Sequence, residues 1–558
     1  MLGVTLLARG VAAWSLSQTG HARHPLVDAQ TYWMQASQLV TGKDPFAAGF
    51  YQPPGYPLFL ASIQAVAGPN LWAPRIIQML LGWLTVVLLI RLGRRLGGQD
   101  APWAGAMAGL IFGLHPSVLM FELDLLTPAL TMFAVAFVLW VAQYRERPLA
   151  LGCSAGLTAL MSSVHPSMLI LGLAVIAWAA LQRSRAALLA ALLGLCLGLM
   201  PLAQQNLDRF GRLQVTSTNA GLNFYLGNSA QWRDSSFLRP GLQFRKLALE
   251  ARPAERDGFE RNAYWKSRAL SDIAAAPHLW VGALFTKALW SVSDTEIPRN
   301  EDYRCRTEEG PLAWLGLRLV RYGLVFPLAI LGALVVWRRR PEDRFVVLAW
   351  AALHLPVVLF IVSDRYRMTT WPMMSLLAPL GLRAGWGWLK GDGRRYAVGA
   401  AVCCLPWIPL DERTQMDPAW CAHIDANLAF MDGDLATAEV LYMEAVRADP
   451  GDWSAHRWLS ETLAKRGAYR EAIVHCQVIL DGFPDSFPTL RTMSRLQEKV
   501  GNVAAAAEYM LRAYAVPGKR TSTGMSALRL LKRSGQAERI EALLRADEAL
   551  ARRWREAN

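Results

Sequence analysis

Apolar runs of near-spanning length recur along most of this chain, and they constrain its fold more than any other feature. A helix needs roughly 20 apolar residues to cross about 30 Å of hydrocarbon. The 558-residue chain is 53% hydrophobic, contains 22 Trp and has a mean hydropathy of +0.20, which is too apolar for an ordinary soluble protein. We predict an all-α, polytopic membrane protein with about eleven transmembrane helices plus juxtamembrane helices. The candidate spans are residues 2–16, 71–90, 104–120, 125–141, 149–164, 168–181, 186–202, 312–337, 345–362, 370–388 and 397–410.

Short basic clusters between the apolar runs indicate the orientation. They are Arg91/Arg94/Arg95, Arg145/Arg147, Arg183/Arg185, Arg338/Arg339/Arg340 and Lys390/Arg394/Arg395. They fall at every second connection, which the positive-inside bias assigns to the cytoplasm, together with the N-terminus. The connections at 19–70 and 205–311 then face outward, provided that residues 278–290 are re-entrant or surface-lying. The same clusters account for the formal charge of +14, so we expect no nucleic-acid partner.

Glycines at a fixed spacing mark the C-terminal quarter of the chain as a repeat. Gly433, Gly467, Gly501 and Gly535 are 34 residues apart, and Ala438, Ala472 and Ala506 stand five residues after the first three. A 34-residue period with small residues where paired helices touch is typical of the tetratricopeptide repeat, although coincidental helical hairpins are an alternative. We predict a membrane domain at residues 1–410 and an α-solenoid of repeats at 411–558. Such a solenoid usually binds a segment of a partner protein.

Asp28, just after the first apolar run, is the strongest candidate for catalysis. A carboxylate at a membrane face costs free energy unless it is hydrated or paired, so it tends to be functional. As a general base it would take the proton of an acceptor hydroxyl during sugar transfer, and a phosphate leaving group needs no strong acid. The alternative is a helix N-cap for the amphipathic stretch 29–40, because Asp is a good cap.

The segment 51–57 reads Tyr-Gln-Pro-Pro-Gly-Tyr-Pro and leads back into apolar sequence. Its prolines fix φ and remove donors, which ends one amphipathic helix and starts the next. We interpret the segment as architectural, aiming Asp28 inward along the membrane surface. We predict that Tyr32 and Tyr56 belong to the substrate loop.

Glu122 and Asp124 lie where one predicted span ends and the next begins, on the outward side. Two carboxylates spaced i, i+2 face one cavity if the segment is extended, whereas in the alternative one of them caps the following helix. We predict that both belong to the catalytic site. A divalent metal here has only weak support, because no His stands nearby in the sequence, and we assign no metal ligand.

Arg365 and Arg367 flank Tyr366 at an outward turn between two predicted spans. The planar fork of Arg suits phosphate because it makes two hydrogen bonds at once. The alternative is snorkelling towards lipid headgroups, which is common for Arg at span ends. The outward position runs against the inward bias of the other basic clusters, so we predict that these three residues bind the phosphate of a donor.

The long outward connection contains alternating Asn, Gly and aromatic residues over 218–228. That composition suits contact with sugar hydroxyls, but it also suits plain turns. We predict Asn223 and Asn228 as residues of the substrate loop. We assign the same role to Glu296 and Asn300, which follow the apolar stretch 278–290.

Taken together, these segments resemble the dolichyl-phosphate-mannose–protein mannosyltransferase superfamily. More narrowly, they resemble bacterial glycosyltransferase family 39-like proteins with a tetratricopeptide tail. The matching segments, in order, are Asp28-x-x-x-Tyr32, Pro54-Gly-Tyr-Pro57, Glu122, Gly221-Leu-Asn-Phe-Tyr-Leu-Gly-Asn228, Tyr264-Trp265, Glu296-Ile-Pro-x-Asn300 and Arg365-Tyr-Arg367. The resemblance implies a C-type (GT-C) membrane glycosyltransferase fold with its active site at the outer membrane face. It also implies a polyprenyl-phosphate-linked sugar as donor and inversion at the anomeric carbon.

By the same resemblance, Asp28 is the base, Glu122 or Asp124 shapes the acceptor side, and Arg365 or Arg367 holds the lipid phosphate. Two departures leave the donor sugar and the acceptor open. Ala29 follows Asp28 where eukaryotic members carry an acidic pair, and residues 205–206 are Gln-Asn where relatives often have Arg-Asn.

The leading interpretation is therefore a glycosyltransferase of the bacterial cytoplasmic membrane that needs no certain cofactor beyond its lipid-linked donor. With an odd number of spans its repeats are periplasmic, where they recruit a protein acceptor or partner. A non-catalytic anchor that presents repeats to an envelope complex is the alternative, but it has no need of acidic and Arg residues at one membrane face. A transporter predicts charges deep inside spans and internal symmetry, and Arg9 is the main such charge. The sequence leaves open whether Cys421 and Cys476 pair.

Overall fold

The computed structural model describes residues 1–47, 49–144, 146–251, 257–307, 320–389, 404–408, 410–518 and 521–557. Within these ranges the chain is helical and contains no strand, so the all-α prediction is confirmed there. The chain divides into two compact units. The membrane unit comprises residues 1–237 and 257–416, and the repeat unit comprises residues 238–256 and 417–558.

Helices of the first three quarters of the chain are named here in chain order. They are α1 Leu2–Ser17, α2 Val27–Val40, α3 Gly55–Ala67, α4 Trp72–Gly97, α5 Ala104–Gly113, α6 Pro116–Leu123, α7 Pro128–Ala142, α8 Pro148–Met161, α9 Ser167–Leu181, α10 Arg185–Phe210, α11 Ala220–Asn228, α12 Trp232–Ser236, α13 Leu242–Leu249, α14 Gly258–Ala275, α15 Pro277–Val292, α16 Tyr303–Thr307, α17 Tyr322–Arg339, α18 Phe345–Leu359, α19 Asp364–Arg367 and α20 Trp371–Leu389. All except α13 belong to the membrane unit, in which α4 packs against α1, α5, α6, α7 and α20.

The C-terminal helices follow in the same numbering. They are α21 Pro418–Asp432, α22 Leu435–Ala448, α23 Trp453–Lys465, α24 Tyr469–Gly482, α25 Phe487–Lys499, α26 Val503–Ala515, α27 Thr521–Arg533, α28 Ala537–Ala546 and α29 Glu548–Ala557. Short 3-10 turns occur at Gly20–Ala22, Gly98–Asp100, Pro341–Asp343, Met368–Thr370, Leu405–Trp407 and Glu412–Thr414.

Two of the described helices are long and apolar enough to cross a membrane, namely Trp72–Asp100 and Arg185–Phe210. The pair α5 and α6 is long and apolar enough only when taken together, and it bends by 56° where the prediction had a continuous span over 104–120, so it is either a broken span or a re-entrant loop. Pro116 begins α6 and explains the break, because proline removes a backbone donor and clashes with the preceding turn. Six further apolar helices are shorter: Leu2–Ser17, Gly55–Ala67, Pro128–Ala142, Pro148–Met161, Ser167–Leu181 and Tyr322–Arg338. The count of about eleven spans is therefore not confirmed.

Several predictions fall partly or wholly on residues outside the described ranges. These are the basic cluster Lys390/Arg394/Arg395, Arg145 of a second cluster, most of the span 397–410 and the first part of the span 312–337. The stretch 278–290, predicted to be re-entrant or surface-lying, lies within helix α15.

Glycines bring α8 and α10 into close backbone contact in the membrane unit. Gly152 and Gly156 on α8 face Gly194 and Gly198 on α10, each pair four residues apart. A Cβ on Gly194 would lie 2.0 Å from the carbonyl oxygen of Gly152, so no larger residue fits there without displacement. Small residues at this spacing are how helices approach closely in a membrane, where packing rather than hydrophobic burial drives association.

The repeat unit consists of paired helices with the predicted 34-residue period. The four spaced glycines have φ of +85°, +86°, +87° and +73°, the left-handed conformation that ends a helix most readily at Gly. The three spaced alanines are fully buried between helices, as their small size requires. Cys476 is a free thiol and Cys421 is disulfide-bonded, so these two cysteines do not pair.

Candidate active site

An open cavity in the membrane unit is lined by many of the chain's polar and charged residues. Several elements converge on it: the segment before α2, the α6–α7 connection, the segment 299–301 before α16, α16 itself and α19. The polar and charged side chains of its lining include His21, Arg75, Ser117, Asp124, Arg299, Asn300, Glu301, Arg306, Asp364 and Arg365. Four of them are arginines, which favours an anionic ligand.

Asp28 is held by three side chains, two of which line this cavity. Its carboxylate accepts hydrogen bonds from Gln52 Nε2 at 3.0 Å, Asn300 Nδ2 at 2.9 Å and Arg365 Nη1 at 2.7 Å. The Asp28 side chain remains 22% exposed. It makes no N-cap hydrogen bond to α2, whose N-cap is Leu26, so the capping alternative is not supported. The carboxylate instead lies in a network of donors at the edge of the cavity.

The backbone directly before Asp28 is strained. Val27 has φ of +51°, a conformation that a β-branched residue rarely adopts. Such strain persists only where surrounding contacts enforce it, and it concentrates at functional sites. The hydrogen bonds to Asp28 are contacts of this kind, because they fix the carboxylate from three directions.

Opposing effects act on the Asp28 carboxyl. Burial raises its pKa, but the Arg365 guanidinium and the hydrogen bond from Asn300 more than offset burial and leave the pKa below its usual value. Asp28 is therefore ionised at neutral pH. An ionised, oriented carboxylate accepts a hydrogen bond from a hydroxyl and can take its proton.

A second cluster on the cavity wall centres on Arg306. This guanidinium donates to Asp124 Oδ1 at 2.9 Å and also pairs with the carboxylate of Glu301. His21 Nε2 lies 3.1 Å from the same Glu301 oxygen. Burial raises the pKa of Glu301, but Arg306 and the contact with His21 outweigh burial and lower that pKa to about 2. Asp124 and Glu301 thus hold Arg306 in place without using all of its donors.

Buried donors without a hydrogen-bond partner in the described structure point to an anion site. They include Nε of Arg306, Nε of Arg365 and Oγ of Ser117, all on residues that line the cavity. Ser117 is fully buried. An unpaired buried donor costs free energy, and a bound acceptor would remove that cost. Phosphate oxygens are suitable acceptors for such a set.

Asp364 adds little negative charge to the cavity at neutral pH. Burial and the neighbouring carboxylate of Glu296 raise the pKa of Asp364 to about 8, despite a hydrogen bond from the backbone N–H of Arg365. Neutral Asp364 leaves the arginines in excess over the ionised carboxylates of the cavity. The site therefore keeps the positive balance that an anion requires.

Two predicted site residues are engaged elsewhere. Glu122 does not line the cavity; its Oε1 accepts a 2.6 Å hydrogen bond from Arg9, and both side chains are buried. Gly82 provides the space for this pair, since a Cβ there would lie 1.9 Å from the Glu122 oxygen. Arg9, read from the sequence as a mid-span charge, therefore has a structural partner. The assignment of Glu122 to catalysis finds no support in this geometry.

Arg367 is likewise a structural residue in this arrangement. It is fully buried, pairs with Glu296 at 2.6 Å and donates to the carbonyls of Ser293 and Thr295. Neither Arg367 nor Glu296 lines the cavity. Burial rules out headgroup snorkelling for Arg367, and both of its Nη atoms donate to the segment 293–296, while its Nε has no hydrogen-bond partner in the described structure.

The remaining predicted residues divide between the edge of the site and the core. Tyr366 lies beside the guanidinium of Arg365, 5.3 Å from the ring centroid. Tyr32 and Tyr56 are buried with their rings 5.1 Å apart, and neither lines the cavity. Burial and, to a lesser extent, the charge of Asp28 raise the pKa of Tyr32, which places that ring near the carboxylate.

The predicted asparagines of the segment 218–228 lie outside the cavity lining. They belong to helix α11 rather than to a turn. Asn228 is buried and accepts hydrogen bonds from Trp280 and Lys287, so it joins α11 to α15. Asn223 makes a backbone hydrogen bond to Asn219.

Sequence analysis missed Gln52, Arg299, Glu301 and Arg306. Three of them had a signal: Gln52 belongs to the proline-rich segment 51–57, and Arg299 and Glu301 flank Asn300. Arg306 had none, because nothing in its sequence neighbourhood indicates a contact with Asp124 across 182 residues. Within the described ranges no group of three or more His, Cys, Asp or Glu side chains is arranged to hold a metal ion.

Comparisons with known proteins agree with a membrane glycosyltransferase. Residues 51–204 match the family model described as dolichyl-phosphate-mannose-protein mannosyltransferase. The match covers less than half of the chain; it includes Ser117 and Asp124 but not Asp28 or Arg365. It supports a mannosyltransferase-like membrane glycosyltransferase as the class of protein.

No curated protein matches the chain. A solved structure titled as the TPR domain of P58(IPK) aligns at 14% identity over 80% of this chain and 99% of that chain, with a TM-score of 0.22. That TM-score is too low for any conclusion to rest on it.

Proposed function

We propose that the chain is an inverting glycosyltransferase with the C-type membrane fold and about eleven spans. Its donor is a hexose or pentose linked to polyprenyl phosphate, and the transfer takes place at the outer face of the bacterial cytoplasmic membrane. The observation that carries the proposal is the position of Asp28 beside Arg365. An ionised carboxylate and a guanidinium with an unpaired buried Nε lie together at a cavity rich in arginine.

Each side of this pair has a role in the proposed transfer. The acceptor hydroxyl oxygen attacks the anomeric carbon and gives its proton to the Asp28 carboxylate. The bond between that carbon and the phosphate oxygen breaks, and polyprenyl phosphate leaves with the bonding electrons. Arg365 and Arg306 donate hydrogen bonds to the departing phosphate, and this preorganised positive charge supplies much of the rate. No cofactor takes part in the reaction as written.

The state of two cysteines supports the outward side of the topology. Cys305 lies in the outward connection 205–311, and Cys421 lies at the start of the repeats. Both are disulfide-bonded. Disulfides persist in oxidising compartments such as the periplasm. We therefore place the active site and the repeats outside the cytoplasmic membrane, with the N-terminus in the cytoplasm.

The repeats would recruit a protein acceptor or an assembly partner, as stacked helical pairs commonly do. A non-catalytic scaffold remains the second candidate. The cavity argues against it, because a scaffold has no use for buried donors that lack partners or for a strained residue beside a carboxylate.

The experiment uses the full chain in nanodiscs with radiolabelled polyprenyl-phosphate sugars and an envelope extract as acceptor. Release of free polyprenyl phosphate and transfer of label are measured for the wild type, for Asp28→Asn and for the matched control Asp44→Asn, an exposed residue of the same outward connection. We expect Asp28→Asn to lose turnover by roughly 10²- to 10⁴-fold and the control to keep it. Equal turnover in Asp28→Asn would remove Asp28 as the base, and no turnover by wild type with any donor would favour the scaffold.

A further inference from the structure

The repeat unit contains a short segment that comes from the middle of the sequence. Residues 238–251, called here the docked segment, leave the membrane unit after Phe237 and fold against the C-terminal helices. The segment includes α13, whose side chain Leu242 is 2% exposed. A bound peptide would present the same features to the repeats: a buried apolar anchor and a short helix.

Two cations of the docked segment lie over two tryptophans of the repeats. Arg239 is 4.7 Å from the ring centroid of Trp420 and forms a 3.0 Å ion pair with Asp417. Lys246 is 5.3 Å from the ring of Trp453 and donates to the carbonyl of Gly482 at 2.9 Å. A cation over an aromatic face is attracted to the ring quadrupole.

An aromatic residue lies in the first turn of each of three successive odd-numbered helices, although Trp420 stands 33 rather than 34 residues before Trp453. Trp420 stands in the first turn of α21 and Trp453 begins α23, while Phe487 begins α25 one period further on. We call these three residues the aromatic ledge. The docked segment covers the first two, and the third carries Arg491 of its own helix at 5.7 Å. A cation therefore lies over each of the three rings, two from the docked segment and one from α25 itself.

Close backbone contact fixes the register of the docked segment. The N–H of Leu242 donates to Ser454 Oγ at 3.0 Å, and Gln243 donates to the carbonyl of Gly451 at 2.6 Å. A Cβ on Gly241 would lie 2.2 Å from the same serine oxygen. A larger residue there would displace this hydroxyl and its hydrogen bond to Leu242, so the pattern read by the repeats is Arg, then Gly-Leu, then Lys, at the spacing of 239, 241–242 and 246.

The contacts that hold the segment are individually weak. Exposed ion pairs and exposed cation–π contacts contribute little each. The covalent connection raises the effective concentration of the segment at the ledge and compensates for that weakness. A second protein with the same pattern would compete for the ledge when it is present at a comparable local concentration.

We propose that the aromatic ledge is a binding site for a basic protein segment of this pattern, and that the chain's own residues 238–251 fill it until such a partner displaces them. The inference rests on the proposed protein-binding role of the repeats and needs no glycosyl transfer. It specifies the partner by chemistry: two cations seven residues apart, with Gly-Leu between them.

The test uses the full chain in nanodiscs and a fluorescein-labelled peptide of residues 236–250, with binding followed by fluorescence anisotropy. The wild-type chain should bind the peptide weakly because its ledge is filled. A chain carrying Arg239→Ser and Lys246→Ser, which weakens the docked segment and leaves the ledge intact, should bind at least about tenfold more tightly. A chain with Gly241→Ala should also bind more tightly, because the added Cβ displaces the docked segment by a different route.

Matched peptides serve as controls. A peptide with the two serine substitutions, or with Gly241→Ala, should bind none of these chains well. Equal binding of the unmodified peptide by wild type and both variants would overturn the proposal, as would failure of both variants to bind it. Adding Asp28→Asn to the double-serine chain should leave peptide binding unchanged, so a failure of the transferase proposal remains distinguishable from a failure of this one.

Discussion

Arg365 donates a 2.7 Å hydrogen bond from Nη1 to Oδ2 of Asp28, although 337 residues separate them in the sequence. Arg367, only two residues further on, is directed to Glu296 instead. The short helix α19 thus places Arg365 at the cavity and buries Arg367 against the segment 293–296. The two arginines should therefore respond differently to substitution.

Arg365→Lys should lower kcat/KM for the lipid-linked donor by about 10- to 100-fold, because lysine keeps the charge but loses the planar fork. The thermal midpoint of unfolding should change little. Steady-state transfer assays and thermal unfolding in detergent check both statements. Unchanged kinetics in Arg365→Lys would argue that this arginine only orients Asp28 and does not bind the donor.

Arg367→Met should mainly destabilise the protein. It leaves Glu296 buried without its cation, and breaking a buried pair from one side costs about 3–5 kcal/mol. Thermal unfolding measures the loss, and any folded fraction should retain its KM for the donor. A variant with normal stability and a raised KM would place Arg367 in the phosphate site after all.

The buried pair of Arg9 and Glu122 gives a second stability prediction. Arg9→Met alone should cost about 3–5 kcal/mol, because it leaves a carboxylate buried in an apolar environment. The double variant Arg9→Met, Glu122→Gln should recover much of that loss. A double-mutant cycle by thermal unfolding in detergent measures the coupling. Additive effects would show that the two side chains do not interact.

Asp364 gives a pH-dependent prediction. Its pKa is about 8 in the folded protein and about 3.9 in an unfolded chain, so the folded state binds the extra proton between these values. The contribution of this carboxyl group to the free energy of unfolding is fully present below about pH 3.9 and is lost as the pH rises through about 8. Asp364→Asn removes the dependence. The free energy of unfolding of the Asp364→Asn variant, relative to that of the wild type, should therefore increase by about 1–3 kcal/mol from pH 6 to pH 8.5. A constant difference across this range would contradict the raised pKa.

Gly467 tests the geometry of the repeats. Its φ of +86° strains any residue with a Cβ, so Gly467→Ala should destabilise the repeat unit by about 1 kcal/mol or more. Gly467→Asn is the matched control, since Asn tolerates the left-handed region better than Ala. Thermal unfolding of the full chain should rank wild type first, Asn second and Ala last. Equal values for the two variants would indicate that the helix ends in another conformation.

The sequence was most informative in the repeat unit, where the same packing requirement recurs at a fixed spacing. The 34-residue spacing located the helix-ending glycines and the buried alanines, because each repeat must solve the same packing problem. The apolar runs identified helices but not their lengths. A hydropathy pattern alone does not show that Pro116 divides the apolar run 104–120 into two helices whose axes bend by 56°.

The sequence predicted which residues share one face of the membrane, but it did not predict which of them meet in one site. Orientation rules brought Asp28, Asn300 and Arg365 to one face, and the structure joins them. The rules could not separate Arg365 from Arg367, since residues two apart on a helix point roughly 200° apart and only packing decides which faces the cavity. For the same reason the sequence did not distinguish Asp124, which lines the cavity, from Glu122, which pairs with Arg9.

Because the docked segment lies between two parts of the membrane unit in the sequence but packs in the repeat unit, we expect the segment and the repeats to be inherited together. Ser236 accepts a hydrogen bond from Arg299 on the cavity wall, and three residues later Arg239 pairs with Asp417 of the repeats. An ancestor that acquired the repeats as a simple C-terminal extension would have lacked the segment they hold. Losing residues 417–558 would in turn leave Leu242 uncovered in the middle of the chain. The insertion and the extension are therefore expected to be gained or lost together among related sequences.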